Sequence, residues 1–418
     1  MMGSRPEVGV RACAVAFALC LIVGSTAWGG PLPTATPEAV GLSSERLRRI
    51  STRLQQDVDE GVYPGAVVLV ARRGKIAYFE SFGWRDKDGG TPMPKDAIFR
   101  IFSMTKPIVS VAAMMLHEEG RFFLWEPVEK YLPAFKDLTL GVEGPVFSTV
   151  PLKRKMTIQD LLTHTSGLTY EEGVGGSDAK SVVKAMYSGA GVGSWDQTSA
   201  EMVEELGKLP LVYEPGTRWH YGRSTDVLGR LIEVVSGMPL DRFLQQRIFE
   251  PLGMQDSGFW VEADKKNRVA QPGNVERLRF DPTVKPRFLS GGGGAVSTTS
   301  DYARFVQMLL NGGELDGTRL LGPKTIEYMT SDHLESVPDL PEASVGHGFG
   351  LGFAVRLSNG RSPVPGTKGV FFWGGLAGTV FWVDPEEELI AVGMIQEPSR
   401  RAFFQRLMRT LVYQAIID

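Results

Sequence analysis

From Lys106 to Glu118 the chain carries Ile108, Val109, Val111, Ala112, Ala113, Met114, Met115 and Leu116, apolar residues on every face of a helix. A helix of that kind must be covered on all sides, so it belongs in the middle of a layered fold. Material to cover it lies in both directions along the chain. Upstream, Gly65–Ala71 and Ile76–Phe82 are β-rich runs around Arg72-Arg73-Gly74-Lys75, which predicts a hairpin. Downstream, Phe349–Val355, Val370–Trp373, Thr379–Val383 and Leu389–Ile395 read as strands, with a turn at Asp384-Pro385-Glu386. A helix capped by Ser43 has Leu47, Ile50, Leu54 and Val58 at helical spacing. A closing helix from Ser399 to Ile416 is expected to turn Phe403, Leu407, Leu411 and Ile416 inward. In between, Ile158–Leu162 and Val227–Val235 read as helices among long Gly/Pro loops, and the glycines of 173–194 predict a mobile loop or flap. The fold class expected is α+β: one layer from about 40–105 and 290–418, with a mostly helical region, about 106–289, inserted.

Composition removes several function classes. With 45 Lys+Arg against 48 Asp+Glu, a net charge of −3, there is no basic field for nucleic acid or an anionic membrane. The two cysteines, Cys13 and Cys20, both fall in an N-terminal segment with Arg5 and Arg11, an apolar run from Ala12 to Val23, and small residues at Ser25 and Ala27. That is the pattern of a secretory signal over residues 1–27, cleaved before Trp28, and it predicts a periplasmic or secreted protein spanning 28–418. The apolar run is shorter than the roughly 20 residues a membrane span needs, so no stable membrane insertion is expected once the signal is removed. A mature chain without cysteine has neither a disulfide nor a cysteine nucleophile.

Metal and cofactor chemistry find no written site. The five histidines, His117, His164, His220, His333 and His347, form no H-E-x-x-H, and neither a P-loop nor a G-x-G-x-x-G opens a helix after a strand. No cofactor is expected. The absence of G-x-S-x-G speaks against a nucleophile elbow. What remains is Ser-x-x-Lys, present three times: Ser103/Lys106, Ser177/Lys180 and Ser181/Lys184. The last two fall in the Gly-rich loop, where a lysine is expected to stay hydrated and useless as a base. Ser103 and Lys106 instead share one face at the start of the apolar helix. There desolvation is expected to lower the lysine pKa, and the helix N-terminus to support a developing oxyanion.

Four ordered motifs give the chain a family likeness: Phe102-Ser-Met-Thr-Lys-Pro107, Leu161-Leu-Thr-His-Thr-Ser-Gly-Leu168, Tyr221-Gly-Arg-Ser-Thr-Asp226 and Trp373-Gly374-Gly375. Together they resemble the serine β-lactamase and penicillin-binding-protein superfamily, class C-like branch, and within it the family VIII carboxylesterases, over about residues 40–415. The resemblance implies a β-lactamase/transpeptidase-like antiparallel sheet flanked by N- and C-terminal helices. It makes Ser103 the nucleophile, Lys106 its proton acceptor and Tyr221 the second base. It implies an oxyanion hole from the backbone N–H groups of Ser103 and Leu376, with Trp373, Gly374 and Gly375 on an edge strand beside the serine. His164 and Asp226 are implied to be structural.

Two departures bear on substrate. Trp373 stands where the superfamily usually carries Lys or His, which removes a cation for a substrate carboxylate and adds an aromatic wall. Arg223 replaces the usual Asn of the Tyr-x-Asn motif, either recovering an anionic contact or forming an ion pair. Both favour an uncharged, short-chain ester as the small-molecule substrate. The rival readings are a class C-like β-lactamase, a D-alanyl-D-alanine carboxypeptidase, or a non-catalytic binder of cell-wall fragments.

Overall fold

The structure, a computed structural model, describes residues 29–174, 181–272, 280–335 and 346–418 and the single positions 1, 3, 278 and 337. The signal read in residues 1–27 lies outside these, apart from positions 1 and 3. Ser43 caps α1 (Ser44–Asp59) by accepting from the Arg46 amide, and Leu47, Ile50, Leu54 and Val58 are buried along one stripe. The hairpin follows as β1 (Gly65–Arg72) and β2 (Lys75–Asp86), with Arg73 and Gly74 turning at positive φ, and short β3 (Thr91–Pro92) adds to β2. After β4 (Ile98–Arg100) a single 3-10 turn, Phe102–Met104, leads into α2 (Thr105–Glu118), which is buried from Thr105 to Leu116.

The inserted region holds the hairpin of β5 (Thr139–Val142) and β6 (Ser148–Pro151). It also contains α3 (Ile158–Leu162), α4 (Val182–Gly189), α5 (Ser199–Leu206), α6 (Ser224–Ser236) and α7 (Leu240–Leu244). The chain returns through β7 (Val296–Thr298), paired with β4, then α8 (Thr299–Leu310), the small hairpin β8 (Glu314–Leu315) and β9 (Thr318–Arg319), and α9 (Pro323–Met329). It ends with β10 (His347–Phe349), β11 (Ala354–Arg356), β12 (Phe371–Gly374), β13 (Val380–Asp384), β14 (Leu389–Ile395) and α10 (Arg401–Tyr413).

The main sheet is antiparallel with the order β10-β11-β12-β13-β14-β1-β2-β3. Its seam joins the two ends of the chain, Val68 pairing with Gly393 and Val70 with Ala391. Every residue of β1 and of β14 is buried, because helices cover both faces there. On one face Leu47, Ile50 and Leu54 of α1 pack with Phe404, Met408 and Val412 of α10 over Val68, Val70 and Trp382. On the other, α2 and α8 share a core with Val67, Leu69, Phe381 and Val392. The fold is thus the β-lactamase/transpeptidase-like α+β architecture, and α2 occupies the central place its composition demands.

Four expectations are corrected. Phe349–Val355 is two strands rather than one, because Gly350–Phe353 turns between them with Gly352 at φ +96°. In α10 the fully buried stripe is Phe404, Met408 and Val412; Leu407, Leu411 and Ile416 pack against the same core partly buried, as expected, while Phe403 is exposed. Apolar residues at 403, 407 and 411 form a neighbouring stripe one residue round the helix, and the sheet takes the other. The helix also ends at Tyr413, short of Ile416. Finally, the Gly-rich stretch is not loop throughout: α4 spans Val182–Gly189 and buries Val183, Lys184 and Tyr187, so Lys184 is enclosed rather than hydrated. Ser177 and Lys180 lie outside the described residues.

Candidate active site

Ser103 stands on the 3-10 turn that precedes α2, one step before the helix proper. Of the three residues in that turn it alone is not buried. Phe102 adopts φ +44°, a left-handed conformation that a side chain disfavours. Neighbours hold it there. Thr105 Oγ1 donates to the Phe102 carbonyl (2.7 Å) and accepts from the Ala295 amide (3.1 Å), while Tyr302 Oη donates to the Met104 carbonyl (2.8 Å).

Lys106, one turn on, is 1% exposed. Its Nζ lies 3.5 Å from Ser103 Oγ, donates to Tyr170 Oη at 3.0 Å and to the Gly292 carbonyl at 2.6 Å, and sits 4.5 Å from the centre of the Tyr221 ring. Burial pulls its pKa down, but Tyr170, Tyr221 and Asp226 together outweigh burial and carry it above the ordinary lysine value. The direction is opposite to the lowered value expected from burial at the start of the helix.

Tyr170 was not foreseen, although it follows the His164-Thr-Ser-Gly motif by only three residues and continues its Leu168-Thr169 tail. Burial pushes its phenol up to about 12, against the pull of the Lys106 ammonium. Tyr221 presents a ring rather than its oxygen to Lys106. Its Oη is buried and has no hydrogen-bond partner among the described residues.

Behind Lys106 the Ser290–Gly294 loop is equally unforeseen. Asp226 accepts from Ser290 Oγ (2.6 Å) and from the Gly292 amide (2.9 Å), fixing the carbonyl that receives Lys106. A Cβ on Gly292 would lie 2.7 Å from Asp226 Oδ2, and one on Gly291 2.5 Å from the Thr225 carbonyl, so the glycine run is a close-packing requirement. Asp226 thereby supports the site from the start of α6. Arg223 is 9% exposed, and its terminal nitrogens bond Glu171 (2.8 and 2.9 Å) and Asp226 (3.3 Å). The guanidinium is an internal tie, as one of the two expectations for it had it.

The Trp373-Gly374-Gly375 stretch is not on an edge strand. β12 runs between β11 and β13, and only Phe371 and Phe372 are paired with β11, so Trp373 and Gly374 run past its end with one flank open. The Gly375 amide donates to the Thr379 carbonyl (2.8 Å), and Thr379 Oγ1 donates to the Ile101 carbonyl (3.2 Å), two residues before Ser103. Leu376 beyond it is exposed. The wall beside this stretch is aromatic: Trp373 lies 5.5 Å from Tyr221 and 5.3 Å from Phe349, and Trp219 stacks on Tyr221 at 6.0 Å. Among the described residues no group of three or more His, Cys, Asp or Glu could hold a metal ion, and no helix is long and apolar enough to cross a membrane.

Two histidines carry a pH consequence. Burial drives the His164 pKa well below its usual 6.5, and that of His220 down to about 4. Both are therefore neutral in the folded state but protonate near 6.5 when unfolded, so stability present above pH 6.5 is lost as pH falls. Asp301, pushed up to about 6 by burial, takes up a proton in the folded state over the same range and offsets about one of the two histidines, so thermal unfolding followed by circular dichroism should show stability dropping by about 1.4 kcal/mol per pH unit between about pH 6 and about pH 5. A flat profile there would place both imidazoles in contact with water.

The family model described as Beta-lactamase matches residues 50–413. Protein Rv1367c of Mycobacterium tuberculosis is 37% identical over 361 residues, covering 82% of this chain and 88% of its own. Esterase EstB of Burkholderia gladioli is 31% identical over 376 residues, covering 83% of this chain and 90% of its own. Among solved structures, EstCE1, described as a hydrolase with promiscuous acyltransferase activity, superimposes with a TM-score of 0.74 at 26% identity, covering 88% of this chain and 99% of its own.

Proposed function

The chain belongs to the Beta-lactamase family and is a serine hydrolase of that fold, and on that premise we propose an exported carboxylesterase that cleaves short-chain, uncharged esters through an acyl-enzyme on Ser103. Ser103 Oγ attacks the ester carbonyl carbon while its proton passes to the tyrosine–lysine cluster. The acceptor is a tyrosine oxygen in its phenolate form, which the neighbouring Lys106 ammonium favours, and the proton it takes leaves it a neutral phenol. The backbone N–H groups of Ser103 and Leu376 receive the tetrahedral oxyanion. Its collapse breaks the bond to the alcohol oxygen, which takes a proton from Tyr221. A water molecule then repeats the sequence on the acyl group, releasing the carboxylic acid and restoring Ser103.

The observation that carries the choice of substrate is the aromatic wall of Trp373, Trp219 and Phe349, together with an Arg223 already bound by Glu171 and Asp226. A substrate carboxylate would meet rings there, without a charge-assisted hydrogen bond worth about 1.5–3 kcal/mol. The kcat/KM for p-nitrophenyl butyrate should therefore exceed that for nitrocefin by about 10- to 100-fold. Comparable turnover of the two would favour the β-lactamase reading. No turnover of either would favour the binder of cell-wall fragments. Export follows from the N-terminal segment and is tested by fractionating cells that express the full chain and sequencing the N-terminus of the product, which should begin at Trp28.

A further inference from the structure

Arg223 touches both supports of Lys106. It stands at the entrance to α6, with its guanidinium carbon 5.0 Å from the centre of the Tyr170 ring. One terminal nitrogen bonds both carboxylate oxygens of Glu171, the residue next to Tyr170 in the chain, so the ion pair fixes the backbone that carries the phenol. The other reaches Asp226, which holds the Gly292 amide whose carbonyl receives Lys106. The turn at Gly193 closes over this pair: a Cβ there would lie 2.5 Å from Glu171 Oε1 and 2.6 Å from Arg223 Nη2. Ring face, carboxylate pair and packed glycine leave the guanidinium one arrangement, and lysine cannot span two carboxylates in that way.

We propose that Arg223 is a positioning residue that sets the charge balance of the Lys106–Tyr170 pair and so the pH range of catalysis, an inference that rests on the Ser103 acyl-enzyme reading. The titratable groups around that pair are Lys106 on α2, His164, Tyr170 and Glu171 on the stretch after α3, Lys184 and Tyr187 on α4, and His220, Tyr221, Arg223 and Asp226 at and before the start of α6. The Ser290–Gly294 loop contributes backbone dipoles, through the Gly292 carbonyl. Without Arg223, Glu171 and Asp226 lose the guanidinium that pairs with both of them. They oppose a phenolate on Tyr170 and make Lys106 hold its proton more tightly, so both effects move the basic limb of the rate profile to higher pH.

The test is kcat and KM for p-nitrophenyl butyrate from about pH 6 to about pH 10 in wild type, Arg223→Gln, Arg223→Lys and Glu171→Gln. In Arg223→Gln the rising limb should be displaced by about one pH unit, read as kcat about tenfold lower at each pH with KM within about twofold. Arg223→Lys should recover only part of kcat. Glu171→Gln removes a carboxylate and should raise kcat on the same limb, an outcome a merely structural role would not give and one that keeps the inference testable if Arg223→Gln does not fold. An unchanged or lower kcat in Glu171→Gln, or a rise in KM at constant kcat in Arg223→Gln, would each overturn it, the last by making Arg223 a direct substrate contact. A wild-type enzyme inactive on the ester would instead overturn the acyl-enzyme reading itself.

Discussion

Ser103→Ala is expected to lower kcat/KM for p-nitrophenyl butyrate by about 10⁴-fold or more, with the melting temperature changed by no more than a few degrees. The asymmetry follows from where the side chain sits. Ser103 is the one residue of its turn that is not buried, and its Oγ is bonded only loosely, at 3.5 Å from Lys106 Nζ. Removing it takes away the attacking atom and leaves the bonds that hold the turn, from Thr105, Tyr302 and Ala295, in place. The contrast with Lys106 is instructive. Lys106 is fully enclosed and donates to two oxygens, so its loss would leave the Gly292 carbonyl and Tyr170 without a partner and lower stability as well as rate. A serine variant separates chemistry from structure here, and a lysine variant does not.

The second large effect is expected at Gly375. A Cβ at that position would lie 2.2 Å from Thr379 Oγ1 and 2.3 Å from the Ile101 carbonyl oxygen, and the second of these is backbone that cannot rotate away. Gly375→Ala must therefore push the end of β12 away from the segment that carries Ser103. Overpacking of this kind costs about 1–3 kcal/mol. In the proposed mechanism the Leu376 amide is an oxyanion donor, and displacing it should lower kcat about 100-fold or more, the usual scale for losing one such donor. Gly360→Ala is the control: nothing lies within 4 Å of a Cβ there and its φ is unstrained, so rate and stability should stay as in wild type. Equal activity of Gly375→Ala and wild type would mean that the oxyanion is held elsewhere.

Much of this architecture is legible in local pattern. The capped first helix, the hairpin around Arg73-Gly74, the central apolar helix and β14 each state their structure in consecutive residues. What was not legible depends on partners distant in the chain. Phe403 and Phe404 offer two equally apolar stripes, and only the sheet beneath decides between them. Whether β12 lies at an edge depends on β10 and β11, which pair through a turn hidden inside one apolar run. Lys106 carries no sign in the sequence that burial would be outweighed, because Tyr170, Tyr221 and Asp226 arrive from positions 64 to 120 residues away. The four glycines at 291–294 show their purpose only where Asp226 and Thr225 are packed against them. Arg223, by contrast, stood out as a departure from a motif, and its partner Glu171 lies directly beside the tyrosine that the motif reading passed over.

The central claim is a covalent acyl-enzyme on Ser103, and trapping tests it most directly. The full-length protein, treated with a fluorophosphonate and examined by intact mass and peptide mapping, should carry one adduct, on the peptide containing Ser103, with esterase activity lost in step with labelling. Labelling of a different serine, or full activity in protein labelled at Ser103, would contradict it.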